Sequence, residues 1–324
     1  MKKIVRVLLV LVAVIFVGVA GLLIYLKTAL PNVGPAPELK VELTEARIQR
    51  GEYLANAVAA CMDCHSGRDW SKFAGPLLPG TLGAGGEVFN QEFGFPGVFY
   101  SKNITPYGLS NWTDGEVLRA ITSGVSKNGE ALFPVMPHAS YGKLDKEDIY
   151  SIIAYLRTLK PIKKDIPASQ PDFPMNFIIN TIPKTATFAP IPDKKDQVQY
   201  GEYLFTAAAC KECHTKQDKG VPLEGMELAG GFEFKMPGGG VLRSSNITPH
   251  METGIGEWSQ QAFVNRFKSY TDSNYIPAVV AKGKYNTVMP WMMYGKMSEE
   301  DLAAIYTYLA TVKPIDNKVT KFTP

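Results

Sequence analysis

The chain has 324 residues, 45% of them hydrophobic, and a formal net charge of +3. Residues 1–27 hold four basic side chains and no acidic ones, so the rest of the chain is slightly acidic, which excludes a nucleic-acid binder. The length beyond that stretch suits two domains.

Lys2, Lys3 and Arg6 precede an uncharged run from Val7 to Leu26, long enough at helical rise to cross a hydrocarbon core. A cleaved signal peptide is the competing reading, but its apolar region is shorter, and Val19–Gly21 makes a poor cut site. Residues 1–30 are therefore expected to be a membrane anchor. The excess of basic residues before the run places the N-terminus in the cytoplasm. The expected location is a bacterial inner membrane, crossed once, with everything after the span in the periplasm.

Arg50-Gly-Glu-Tyr-Leu54 leads into Cys61-Met-Asp-Cys64-His65, and Tyr200-Gly-Glu-Tyr-Leu204 leads into Cys210-Lys-Glu-Cys213-His214. These two motifs use all four cysteines and two of the four histidines. On a short helix two thiols three residues apart share one face, where they can reach both vinyl groups of a porphyrin, and the next imidazole lies under its iron. The expected cofactors are two covalently bound haem c groups. A thioredoxin-like dithiol or half of a zinc site also uses Cys-x-x-Cys. Neither explains a histidine directly after the second thiol in both copies.

The order of signals repeats around the two motifs. Ala84-Gly-Gly86 returns as Ala229-Gly-Gly231, Asn103-Ile-Thr-Pro106 as Asn246-Ile-Thr-Pro249, and Met136-Pro137 as Met289-Pro290. Tyr141-Gly-Lys143 returns as Tyr294-Gly-Lys296, and each half closes on Lys-Pro-Ile. The expected division is 38–160 and 198–324, joined by a proline-rich linker at 161–197. Phe173, Phe177, Ile178 and Ile179 are too apolar for a free tether, so the linker is expected to pack along the domains.

Helices are the expected elements, and strand signals are weak. Thr113 with Glu116 starts one helix, presenting Val117, Leu118 and Ile121; Ser259 starts its counterpart, with Phe263 and Phe267. Ile149, Ile152, Ile153 and Leu156 form an apolar stripe behind Asp145, ended by Pro161. Leu302, Ile305, Leu309 and Val312 repeat it behind Ser298, with Asp301 in the capping-box position and Pro314 as the stop. Gly51 and Gly201 sit inside helices, at a cost of about 1 kcal/mol against alanine. A close crossing under Tyr155 or Tyr308 is the expected compensation.

The second axial ligand of each iron decides between carrier and catalyst. His138 and His250 are not shared between the repeats and are expected at the surface or a pocket edge. Met136 and Met289 are shared, so His65, Met136, His214 and Met289 are the expected iron ligands, with Met292 the alternative to Met289. Met293 and Met297 crowd the same segment, where methionine also serves as core filler. Asn103, Thr105 and Trp112, with Asn246, Thr248 and Trp258, are candidates to hold haem propionates; ordinary turn and core roles are the alternative.

These motifs together resemble the multihaem cytochrome c subunits of membrane-bound alcohol and gluconate dehydrogenases, over nearly everything from about residue 45 onward. The resemblance implies an all-α chain of two tandem class I cytochrome c-like domains after one transmembrane helix. It implies attachment through Cys61, Cys64, Cys210 and Cys213 and iron ligation by His65, Met136, His214 and Met289. Those subunits usually have three haem modules, whereas this chain has two, so partner and acceptor do not carry over. The first half is shorter between Pro106 and Trp112 than the second between Pro249 and Trp258, and Tyr270–Asn286 lengthens the loop before Met289. The two pockets are expected to differ in exposure.

The expected function is electron transfer from a respiratory or dehydrogenase donor to a downstream acceptor, without independent catalytic activity. Redox proteins are the expected partners: a dehydrogenase, a quinol-oxidising complex or a terminal oxidase, beside the membrane itself. The alternative is a dihaem oxidoreductase, peroxidase-like or sulfur-compound oxidising, with one open or labile iron. A sensor of a diatomic gas would need the same open iron.

Overall fold

The computed structural model describes residues 2–236 and 238–324. α1 (Lys2–Thr28) is one uninterrupted helix with no buried residue, of a length and composition that suit a membrane span. In the first half, α2 (Glu45–Tyr53) runs through a π-helical turn at Leu54–Val58 into α3 (Cys61–Cys64), followed by α4 (Asp114–Ser123), α5 (His138–Tyr141) and α6 (Lys146–Thr158). α7 (Met175–Ile178) lies in the proline-rich segment. The second half repeats the order with α8 (Gln197–Ala207), α9 (Cys210–His214), α10 (Gln260–Lys268), α11 (Trp291–Tyr294) and α12 (Glu299–Leu309).

Helix starts follow local side-chain chemistry. Thr113 Oγ1 accepts the Glu116 N–H at 3.1 Å, and Glu116 Oε2 accepts the Thr113 N–H at 2.8 Å, a closed capping box. Ser259 and Asp145 cap α10 and α6 by accepting the N–H of Ala262 and Glu147. The expected box at α12 does not close. Ser298 accepts the Asp301 N–H at 3.1 Å, but the Asp301 carboxylate turns inward to the hydroxyls of Tyr53 (2.6 Å) and Tyr200 (2.9 Å).

In each half the first helix crosses the last at a glycine. A Cβ on Gly51 would overlap the Ser151 carbonyl and lie 2.9 Å from Tyr155 Cβ; on Gly201 it would overlap the Ala304 carbonyl and lie 3.0 Å from Tyr308 Cβ. The crossings bring α2 onto α6 and α8 onto α12. Leu54, Ile149, Ile153, Leu204 and Leu302 are thereby all but sealed from solvent. Burial of each such side chain stabilises by about 1.5–3 kcal/mol.

The all-α expectation needs correction. Among the described residues are eight strands of two to four residues, and six of them repeat one pattern. β1 (Val88–Phe89), β2 (Gly97–Tyr100) and β3 (Gln170–Pro171) form an antiparallel sheet with Val88 opposite Tyr100 and Gly97 opposite Pro171. β4 (Gln217–Asp218) and β5 (Val221–Pro222) form a separate hairpin. β6 (Glu233–Lys235), β7 (Val241–Arg243) and β8 (Phe322–Thr323) repeat the first sheet, with Glu233 opposite Arg243 and Val241 opposite Thr323. In both halves the third strand comes from the chain beyond the last helix. The proline-rich segment accordingly starts by bonding back to the first half: Asn103 Nδ2 donates to the Ile162 and Lys164 carbonyls, and Lys164 Nζ to the Gly85 carbonyl.

The halves are joined by a reciprocal clasp. Tyr53 OH donates to Asp301 Oδ2 at 2.6 Å and accepts the Ser298 N–H at 3.0 Å. Tyr203 OH donates to Asp148 Oδ2 at 2.6 Å and accepts the Asp145 N–H at 3.2 Å. Each aspartate also has a donor from its own half, Arg50 to Asp148 and Tyr200 to Asp301. Farther out, the long loop of the second half is stitched to the first: the Phe73 N–H donates to the Ala278 carbonyl and the Val280 N–H to the Ser71 carbonyl, both at 2.8 Å, and Asn286 Oδ1 accepts the Ala74 N–H. The extra length before Met289 thus ties the two halves together.

Burial, reinforced by the aspartates, raises Tyr53, Tyr203 and Tyr200 above the ordinary tyrosine value of 10.0. A group that holds its proton more tightly when folded contributes stability below its unfolded pKa and loses it as pH rises past that value. Denaturant midpoints are therefore expected to fall above about pH 10, and to fall less steeply in Tyr53→Phe and Tyr203→Phe. Equal slopes would show that the clasp does not carry the alkaline transition.

Candidate functional site

Each Cys-x-x-Cys-His motif begins after an alanine in left-handed backbone, Ala60 at φ 48° and Ala209 at φ 51°. This turn breaks the leading helix and starts the next, setting α3 and α9 off from α2 and α8. No disulfide forms; Cys61, Cys64, Cys210 and Cys213 are free thiols. Burial raises all four thiols above their ordinary value, Cys213 least. A thioredoxin-like dithiol needs the opposite shift. Among the described residues no group of three or more His, Cys, Asp or Glu side chains is arranged to hold a metal ion.

The imidazoles are oriented identically. His65 Nδ1 lies 2.7 Å from the Lys102 carbonyl and His214 Nδ1 2.8 Å from the Ser245 carbonyl. A carbonyl only accepts, so the proton is on Nδ1 and the lone pair of Nε2 is free to bind a metal. Burial lowers both histidines, against the opposing effect of these bonds, which keeps the rings neutral. The Ala-Gly-Gly repeats explain how the accepting carbonyls come so close. Gly85 and Gly230 have positive φ, and their N–H groups donate to the His65 and His214 carbonyls at 2.8 Å. A Cβ on either would run into the backbone of Lys102–Asn103 or Ser245–Asn246. The repeat of these glycines was the available sequence signal for this role.

The Met-Pro loops are tied to the cysteine motifs by a contact that spacing alone did not reveal. Tyr141 OH donates to the Ala59 carbonyl at 2.9 Å, and Tyr294 OH to the Ala208 carbonyl at 2.7 Å. Pro137 and Pro290 begin α5 and α11 with matching backbone angles, φ −77° and ψ 55° against φ −80° and ψ 60°. Met136 and Met289, like Cys61 and Cys210, are partly buried and packed against the core. Met293 and Met297 are buried core residues, whereas Met292 is only partly buried.

The turn residues bond to the chain of their own half. Asn103 Oδ1 accepts the N–H and hydroxyl of Thr105, while its amide donates to the Ile162 and Lys164 carbonyls; Thr105 Oγ1 accepts the Ile162 N–H. Asn246 and Thr248 repeat the network onto Ile315. The donors on these buried side chains are all engaged within the chain. They brace each turn to the Lys-Pro-Ile segment of the same half. Trp112 is partly buried and Trp258 is 38% exposed, and among the described residues neither indole N–H has a protein acceptor. His138 lies inside rather than at a surface: it is 2% exposed, packed against Gly124, and its Nε2 has no partner. His250 is half-buried, its Nδ1 accepting from Thr253.

Free thiols on one turn, an imidazole with Nε2 released, and a methionine loop fastened to the same turn fit a covalently tethered haem in both halves. Comparison with known proteins agrees. Residues 198–313 match the family model for cytochrome c. The chain is 28% identical over 289 residues to the cytochrome c subunit of the quinone alcohol dehydrogenase of Gluconacetobacter polyoxogenes, covering 83% of this chain and 57% of that one. It is 32% identical over 281 residues to the fructose dehydrogenase cytochrome subunit of Gluconobacter japonicus, covering 82% and 52%. The chain thus spans a little over half the length of these relatives. A diheme cytochrome c-type protein of Cereibacter sphaeroides is 28% identical over 291 residues, covering 86% of this chain and 90% of that one. The chain therefore carries a cytochrome c domain at residues 198–313 and, over most of its length, resembles the cytochrome c subunits of dehydrogenases.

Proposed function

We propose that the chain is a membrane-anchored electron carrier with two covalently bound haem c groups, one in each of two tandem cytochrome c domains, and no substrate chemistry of its own. The observation that carries this reading is the duplication of the whole site, from the left-handed alanine to the tyrosine that ties the methionine loop. Cys61 and Cys64, and Cys210 and Cys213, would hold the two haems covalently, and His65 with Met136 and His214 with Met289 would ligate their irons. Haem supplies a one-electron iron couple, whose potential a thioether ligand raises. The Lys102 and Ser245 carbonyls hold each imidazole in one tautomer and orientation. The bonds from Tyr141 and Tyr294 keep each methionine loop at a fixed position relative to the thiols. Trp112 and Trp258, whose indole N–H groups have no protein acceptor among the described residues, would be the donors to the haem propionates.

α1 is the anchor, and both domains lie on the periplasmic side of a bacterial inner membrane. The named relatives are subunits of alcohol and fructose dehydrogenases, which supports a dehydrogenase as the donor; a quinol-oxidising complex or terminal oxidase completes the partner set.

Haem content and spin state test the proposal. The purified chain is expected to hold two haems, both low-spin, and Cys61→Ala with Cys64→Ala to hold one. Met136→Leu and Met289→Leu are each expected to abolish one thioether signature and to open that haem to carbon monoxide. A large high-spin fraction in the unmodified protein would favour the oxidoreductase reading, and unchanged spectra in Met289→Leu would move the second ligand to Met292.

A further inference from the structure

The segment between the halves returns to the end of α1. Asn180 Nδ2 donates to the Leu26 carbonyl at 3.0 Å, one of the last carbonyls of the helix, which have no partner within it. The Lys27 ammonium lies 5.2 Å from the centroid of the Phe177 ring. These contacts hold α7 and the 3₁₀ turn Ile179–Thr181 against α1 at the level where its uncharged run gives way to Lys27. If α1 spans a membrane, that level is the boundary between acyl chains and headgroups.

The exposed side of the segment is apolar. Phe173 is 78% exposed and Ile178 43%, with the Phe173 and Phe177 rings edge to face at 6.3 Å. On α1, Tyr25, next in the chain to Leu26, is 55% exposed. Ile179, on the other side, is buried and fixes which way the segment faces. Aromatic side chains settle at the headgroup level, and short apolar segments can lie in the interfacial plane. The patch continues the exposed apolar surface of α1, so lipid is the occupant that its position selects.

We propose that residues 173–182 are a second membrane contact, an interfacial foot that rests in the lipid headgroup region beside α1. This rests on the reading of α1 as a retained membrane span. One helix lets a domain rotate about the helix axis and tilt; a foot beside it removes much of that freedom and presents one face of the haem domains to the membrane.

Lipid photocrosslinking on the full-length holoprotein tests the foot. The photoreactive residue p-benzoylphenylalanine is placed in turn at Phe173, Tyr25 and Ile276, the last being 84% exposed on the long loop of the second half. Each variant is reconstituted in phosphatidylethanolamine–phosphatidylglycerol vesicles, irradiated, and examined by mass spectrometry for lipid adducts. Adducts at 25 and 173, several-fold above 276, are the expected result. An adduct at 25 but not at 173 overturns the foot and leaves the anchor standing, as would be the case for a patch made for a protein partner. No adduct at 25 removes the anchor and the foot with it. Equal adducts at all three positions indicate nonspecific adsorption and also overturn the foot.

Discussion

Gly51→Ala is expected to destabilise the folded chain by about 3 kcal/mol or more, although alanine is the better helix former by about 1 kcal/mol. Propensity and packing predict opposite signs here, which makes the substitution decisive. The added methyl would occupy the space of the Ser151 carbonyl, a backbone atom inside α6 that cannot yield without moving the helix. Gly201→Ala meets the Ala304 carbonyl of α12 in the same way. Gly67→Ala is the control, since its nearest neighbours are the side chains of Thr81 and Leu78 at 3.3–3.4 Å, which can shift. Denaturant midpoints of the three variants give the comparison. A stability gain in Gly51→Ala would mean that the α2–α6 crossing has been misread.

Removing both clasp hydroxyls in a Tyr53→Phe, Tyr203→Phe double variant is the second large effect. Tyr53→Phe leaves the Ser298 N–H and Asp301 Oδ2 without a partner; Tyr203→Phe leaves the Asp145 N–H without one, while Asp148 Oδ2 keeps the Arg50 guanidinium. Each unsatisfied buried polar group costs about 1–3 kcal/mol. Arg50 stacks on Tyr53 and pairs with Asp148, so the two clasps are coupled and the double variant is expected to depart from the sum of the single ones. The chemistry predicts more than weakening: protease cutting within 183–196, between the halves, should accelerate in the double variant. Tyr200→Phe, which removes a bond within the second half only, should not accelerate it. Equal cutting rates in both variants and the unmodified chain would show that the clasp does not hold the halves together, leaving that to the apolar contacts and to the bonds that join Ser71, Phe73 and Ala74 to the long loop.

What the sequence revealed follows the range of each interaction. Thr113, Asp145, Ser259 and Ser298 act on the next turn of chain, and their caps stand where the pattern put them. The paired glycines were legible because a helix-breaking residue repeated inside two helical patterns requires a compensating contact. Asp301 was misassigned because a capping box is judged over four residues, whereas the partner that claims its carboxylate, Tyr53, lies in the other half. The bonds of Asn103 and Asn246 to Ile162 and Ile315 were hidden for the same reason: they join parts of the chain 59 and 69 residues apart. Strands of two to four residues are too short to show alternation, so β1–β3 and β6–β8 left no trace in the pattern. His138 had no repeat partner to reveal its depth.

The tyrosine clasp has the form of a twofold dimer contact, in which residue i of one copy meets residue j of the other and j meets i. Here both copies lie on one polypeptide. Two separate copies would associate only above some concentration; joined through residues 161–197, each meets its counterpart at an effective concentration set by the connection, independent of how much protein the cell makes. Covalent union also frees the copies to diverge, and Arg50 opposite Tyr200 shows that they have: one aspartate is paired with a cation, the other with a neutral hydroxyl. The fused pair thereby has a built-in polarity that a symmetric dimer of one sequence could not possess.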